Sequence, residues 1–269
     1  MGRVTELRPV LAEDANAGLV ALVTGGGTGL GRAIVRELAR TGASLVIAGR
    51  RPEPLEATRN ELEARGTACL AVPTDVREPD QVQALVEAAL ERFGRIDVLV
   101  NNAGGQFAAP AEQISLKGWR AVHRLNVDAV WDLTRTVAIR SMIPNRRGLV
   151  VFIGFSPRRG VPLMIHSAAA RAALENLAGG IAIEWSRYGI RAVCVATGAL
   201  DTDAFRAYGD AFVEEAIRTS PLGRLIAPEE VAALIAFLAT PAAASITGTT
   251  IVVDTGNDAW GLGYPPPRD

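Results

Sequence analysis

Cysteine is scarce in this chain: only Cys69 and Cys194 occur in 269 residues. Two thiols cannot build a disulfide framework or a metal cluster. Each lies in an apolar, strand-like run, so both read as small buried hydrophobes in a reducing, cytoplasmic compartment. An excess of either charge is missing too. The net charge is −1 and the pI about 6.2, which leaves no electrostatic footprint for nucleic acid or an anionic membrane. The longest apolar runs, such as Ala232–Ala239, are too short to span a bilayer. The opening stretch mixes acids with bases around no apolar centre, so it reads as neither a signal nor a transit peptide. Tyrosine is limited to Tyr188, Tyr208 and Tyr264, which narrows any search for a phenolic acid.

What is present is alternation. Short β-branched runs at 19–24, 44–48, 68–73, 98–101, 149–153, 191–196 and 250–254 are separated by helical patterns. These lie near 30–41, 53–65, 79–93, 115–143, 165–187 and 228–239. In the third helix Val82, Leu85, Val86, Ala89, Leu90 and Phe93 share one face, with Pro79 at the start and Gly94 past the end. The strands are apolar throughout rather than alternating, so both faces of the sheet are covered. The expectation is a single α/β, doubly wound Rossmann domain. It has seven mostly parallel strands, helices on both faces and bounds of 18–257. Residues 1–17 read as an arm and 258–269 as a tail, each loose or in contact with another subunit.

The stretch Thr24–Gly31, TGGGTGLG, falls between the first strand and the first helix. Gly25, Gly29 and Gly31 let the backbone turn tightly and approach a pyrophosphate. Thr28, Leu30 and the helix start then present free N–H groups and a positive dipole. An ordinary glycine-rich loop is the competing reading. After the second strand, where NAD enzymes place a carboxylate, stand Gly49, Arg50 and Arg51. Two guanidiniums suit a 2′-phosphate, which selects NADP(H), unless they are merely solvated; Glu53 is the nearby acid that opposes this reading. Asp75, followed by Val76, either accepts a hydrogen bond from the adenine amino group or caps the next helix.

With TGGGTGLG, Asp75 and Asn101–Gly104 (NNAG) in place, residues 18–256 resemble a short-chain dehydrogenase/reductase. The resemblance extends to Asn126, to the 189–202 stretch and to Asp254–Gly256. It implies that Asn102, Ala103 and Gly104 line the nicotinamide ribose and that Thr202 reaches the carboxamide. It also implies an irregular lid over the substrate at 198–222 and assembly as a homotetramer.

Most members of that family carry Tyr-x-x-x-Lys with a serine upstream; here the aligned residues are Ser167, Arg171 and Gly154. A serine hydroxyl is a far weaker acid than a phenol of pKa about 10, and Arg171 holds its proton while gripping ribose hydroxyls. Ser156 replaces the missing serine only if its loop shifts. Losing a placed general acid costs roughly 10²–10⁴ in rate, which argues against an ordinary ketone reductase. The stretches 104–119 (GGQFAAPAEQISLKGW) and 162–171 (PLMIHSAAAR) resemble trans-2-enoyl-CoA and 2,4-dienoyl-CoA reductases. That resemblance implies hydride addition to the C=C of an acyl thioester, with charge developing on an enolate oxygen. Ser167 would donate to that oxygen and Asn126 would order a water, against a plain structural role for Asn126. Tyr208 is the candidate replacement acid, or else an apolar lid side chain. His166 is a weaker candidate. His123 and Tyr188 read as structural, and Glu175 as a salt-bridge partner of Arg171. Arg158, Arg159 and Arg206 are available for CoA phosphates. Competing functions are a silent dinucleotide-binding protein and an oxidoreductase of specialised metabolism with an unfamiliar acid.

Overall fold

The computed structural model describes residues 9–158 and 160–261. In chain order its elements are β1 (Val20–Thr24), α1 (Gly29–Arg40), β2 (Ser44–Gly49), α2 (Pro52–Glu63), β3 (Cys69–Pro73), α3 (Pro79–Phe93) and β4 (Val98–Asn101). There follow α4 (Leu116–His123), α5 (Ala129–Val137), α6 (Ile143–Asn145), β5 (Gly148–Phe155), α7 (Ile165–Glu184) and β6 (Ile190–Thr197). The chain closes with α8 (Asp203–Arg206), α9 (Asp210–Arg218), α10 (Pro228–Ala239), β7 (Thr249–Val253) and α11 (Asn257–Trp260).

The strands form one sheet in the order β3-β2-β1-β4-β5-β6-β7, and every pairing is parallel. β1 shows why the strands read as unbroken apolar runs. Ala21 and Val23 enter the core on one face of the sheet, Val20 and Leu22 the core on the other. The strand order reverses between β1 and β4. At such a switch point the loops leaving neighbouring strands diverge, and their carboxyl ends open a crevice. The glycine turn after β1 and the NNAG loop after β4 both lie there.

The helix expected over 115–143 is present but broken. Wider π-type turns at Arg124–Asp128 and Ala138–Met142 separate α4, α5 and α6, and Asn126 sits inside the first. The 198–222 stretch, expected as an irregular lid, is not irregular: α8 and α9 occupy it, too short for periodicity to register. The arm is docked where it is described. The Asn16 side chain, buried, donates from Nδ2 to Thr41 Oγ1 at 2.8 Å and to the Ala236 carbonyl at 3.1 Å. Leu11 packs on the same core. The tail boundary also moves, because Asp258 is buried within α11 and belongs to the folded body. Residues 1–8, Arg159 and 262–269, with Tyr264, lie outside the described residues. Among the described residues no helix is long and apolar enough to cross a membrane.

Candidate active site

The glycine turn closes against its own helix. A Cβ at Gly31 would fall 2.1 Å from the Gly25 carbonyl oxygen, so only glycine fits there. Gly29, at φ +49°, faces Thr202, whose Cγ2 lies 3.5 Å from where a Cβ would stand. Thr28 precedes α1 in an extended conformation and makes no side-chain cap, leaving the first N–H groups of the helix for an anion. Leu30 is buried in the core and anchors that turn. Residue Thr24 fastens the two loops together, a role that nothing in the motif announced. Its Oγ1 accepts from the N–H of Asn102 at 3.0 Å and of Ala103 at 2.9 Å, and Asn102 Nδ2 donates to the Thr24 carbonyl at 2.8 Å.

At the end of β2, Arg50 and Arg51 are exposed and have no ion-pair partner among the described residues; Glu53 is exposed and pairs with neither. Asp75 does not cap α3, whose N-cap residue is Glu78. Instead it accepts from the Arg77 N–H at 3.0 Å and binds the Arg77 guanidinium through both oxygens. That pairing holds its carboxyl down at about 2. Val76 is a core residue beside it.

Arg171 reaches inward from α7. Its Nη1 donates to the Ile153 carbonyl near the end of β5, and its buried Nε has no partner among the described residues. A Cβ on Gly104 would lie 2.2 Å from Arg171 Nη2 and 2.8 Å from Asn126 Oδ1, so these three residues converge on one spot. Burial among apolar groups, with no carboxylate beside it, pushes the guanidinium down to about 10. Glu175 pairs with Arg158 at 3.6 Å instead of with Arg171.

Ser167 is fully buried, and its Oγ donates to Gln106 Oε1 at 2.8 Å. Its one proton is therefore engaged with a residue that the motif comparison passed over. The amide nitrogen of Gln106 has no partner among the described residues. Asn126 is also committed: Nδ2 donates to the carbonyls of Gly105 at 2.9 Å and Val122 at 2.8 Å, and Oδ1 accepts from the Gly105 N–H at 3.3 Å. It clamps the NNAG loop directly. Thr202 caps α8, accepting from the Phe205 N–H at 3.2 Å. Tyr208 packs against Phe205 and Phe212 at centroid distances of 6.2 and 5.2 Å, in an aromatic cluster.

Other candidates are accounted for elsewhere. Ser156, buried, donates to Asp254 Oδ2. A side chain at Gly154 would press on Cys194 Sγ at 2.7 Å. Arg158 is held by Asp258 at 2.9 Å and Arg206 by Asp201 at 2.6 Å, so neither is free for CoA phosphates. His123 stacks on Trp119, and Tyr188 lies under Arg187. Both cysteines are buried, with thiols pushed up to about 12. No group of metal-ligating residues occurs among the described residues.

The chain matches the family model described as enoyl-(acyl carrier protein) reductase over residues 25–258. The chain belongs to the short-chain dehydrogenase/reductase family. It is 32% identical to a probable 2,4-dienoyl-CoA reductase of Bacillus subtilis (strain 168), over 91% of this chain and 97% of that protein. A gluconate 5-dehydrogenase from Burkholderia cenocepacia J2315, solved with NADP and tartrate, superposes with a TM-score of 0.85. It is 33% identical, covering 91% of this chain and 98% of the other. A 7α-hydroxysteroid dehydrogenase solved with NADH gives a TM-score of 0.85 at 28% identity, over 91% and 96%. The chain is thus of an oxidoreductase family whose members bind NAD(P), and its sequence relatives include enzymes named for reducing conjugated acyl-CoA thioesters.

Proposed function

We propose that this protein reduces the conjugated C=C of an enoyl or dienoyl thioester with NADPH. The observation that carries the reading is the Ser167–Gln106 pair, standing where a ketone reductase needs a phenol. A serine whose proton is given to a carboxamide cannot protonate an alkoxide. It can hold that carboxamide so that one Nε2–H is available to the thioester oxygen. Such donors stabilise the enolate that forms when the β-carbon of an unsaturated thioester is reduced, and solvent can then protonate the α-carbon. In this role Gln106 is the donor and Ser167 positions it, a refinement of the expected direct contact from Ser167.

The residues present fit the dinucleotide, which supplies the hydride. Gly25–Gly31 and the start of α1 would take the pyrophosphate, and Arg50 and Arg51 the 2′-phosphate. Asp75 and Val76 would border the adenine. Asn102–Gly104 and the unpartnered Nε side of Arg171 would hold the nicotinamide ribose, with Thr202 at the carboxamide. Asn126 keeps Gly104 and Gly105 in place, and Tyr208 serves the lid as an apolar side chain. Apolar Trp131, Ile139 and Ile183 are exposed on the outer helices, which supports a homo-oligomer, a tetramer as in the family resemblance. The buried thiols fit a reducing compartment such as the cytoplasm.

The test is NADPH oxidation with crotonyl-CoA, trans-2-dodecenoyl-CoA and a 2,4-dienoyl-CoA. Turnover on one of them is expected. Tight NADPH binding with no turnover on any would favour the silent dinucleotide-binding protein, a reading that the fully engaged Ser167 and Asn126 side chains support.

A further inference from the structure

Thr255 has a left-handed backbone at φ +62°, and Gly256 follows at φ +92°. Together they turn the chain after β7, with the Asn257 N–H donating to the Asp254 carbonyl at 3.3 Å. A turn with two left-handed central residues takes glycine, asparagine or aspartate at the first of them, and a β-branched residue there is an outlier. The surroundings hold it in place. Buried Asp254 accepts from the N–H of Gly256 at 2.9 Å, from the N–H of Asp258 at 2.6 Å and from Ser156 Oγ in the loop after β5. Strain that persists because its surroundings over-determine it points to a use for the side chain that bears it.

The Thr255 hydroxyl has such a use. It donates to the Asp254 carbonyl and lies 2.6 Å from the Oγ of Ser220, which is buried near the end of the 198–222 segment. The other end of that segment is seated on the same turn. The Gly198 N–H donates to the Val253 carbonyl at 3.0 Å, and a Cβ at Gly198 would fall 3.0 Å from Asp254 Cβ. Between these ends Val213 is the buried residue of α8 and α9, whose aromatic rings pack on one another, Phe205 and Phe212 at 5.6 Å. Anchorage is therefore concentrated at the two ends, the condition for a segment that opens as a unit. Thr202, which caps α8, stands against Gly29 of the glycine turn. The segment thus begins at the rim of the crevice.

We propose that the Thr255–Ser220 hydrogen bond is a latch that holds the 198–222 segment closed over a bound dinucleotide and must break before the nucleotide leaves. This rests on the reading of the crevice as an NADPH site and of the segment as its cover, and it needs no thioester chemistry. A single bond between neutral groups shifts such an opening equilibrium by about three- to tenfold.

The test uses Thr255→Gly, Ser220→Ala, the double variant and Thr255→Ser. NADPH dissociation is followed by stopped-flow fluorescence, and hydrogen exchange of the 203–218 amides is measured in the nucleotide-bound protein. Thr255→Gly and Ser220→Ala should each release NADPH about three- to tenfold faster, with exchange quickened by a similar factor. The double variant should be no faster than either single one, because both substitutions remove the same interaction. Thr255→Ser keeps the hydroxyl and should release NADPH at the parent's rate. Thr255→Gly sheds the left-handed strain together with the bond, so it should melt no lower than Ser220→Ala, which keeps the strain. Release and exchange unchanged in both single variants would overturn the latch, as would additive acceleration in the double variant. Accelerated release in a protein that reduces no thioester would leave the latch standing and remove the reductase. A parent that binds no NADPH would remove the dinucleotide reading and the latch with it.

Discussion

A buried arginine without a carboxylate partner carries a large desolvation penalty, and a fold tolerates it where a ligand supplies the missing contacts. Arg171 is such a residue, with Nε orphaned among the described residues and Nη2 against Gly104. Arg171→Met should weaken NADPH binding at least tenfold while raising the midpoint of thermal unfolding; unchanged nucleotide affinity would exclude it from the site. Gln106→Leu should lower kcat on an enoyl thioester by roughly 10²–10³, the usual loss for one oxyanion donor, with NADPH affinity intact. A loss confined to KM would show instead that Gln106 only binds. Arg51→Glu should shift preference toward NADH, since Arg51 is exposed and unpaired; an unaltered NADPH Kd would remove the 2′-phosphate argument. His166 adds a pH signature. Burial, and to a smaller extent His123, push its pKa down, so the unfolded chain binds a proton that the native one refuses. Stability should therefore fall as pH drops below about 6.5, and His166→Phe should flatten that part of a urea-denaturation profile.

Elements set where these residues meet. The turn from β1 to α1 was legible because a strand, three spaced glycines and a helix follow in sequence, and close backbone approach admits no other residue type there. Gly31→Ala should abolish nucleotide binding and lower the melting temperature, because its methyl group would meet the Gly25 carbonyl at 2.1 Å. The helix over 79–93 was legible to the residue, since its apolar face and both end signals agree. The π-type turn at Arg124–Asp128 was not legible, as one extra residue in a turn barely disturbs a 3.6-residue period. That turn nevertheless brings Asn126 against Gly105. The short helices α8 and α9 escaped for a related reason: four and nine residues are too few for a periodic signal.

Across the whole molecule, two apolar cores on the faces of one parallel sheet account for the unbroken hydrophobicity of the strands. The docked segment before β1 is part of that body. Asn16→Ala should cost about 1–3 kcal/mol in urea denaturation, because it leaves buried Thr41 and Ala236 without their donor. No change would mean that this contact does not persist in solution. The alternation of strands and helices, the glycine turn, the paired arginines and the missing Tyr-x-x-x-Lys are all local patterns, so the sequence by itself determined the fold class, the place of the crevice and the departure from the family's Tyr-x-x-x-Lys pattern. Partners far apart in the chain were another matter. Ser167 meets Gln106 across 61 positions, and Arg158 meets Asp258 across 100. Side-chain hydrogen bonds depend on distances of a few tenths of an ångström, which no spacing rule encodes. Only the tertiary structure, by bringing the NNAG loop over the first turn of α7, decided which donor stands free and which is already engaged.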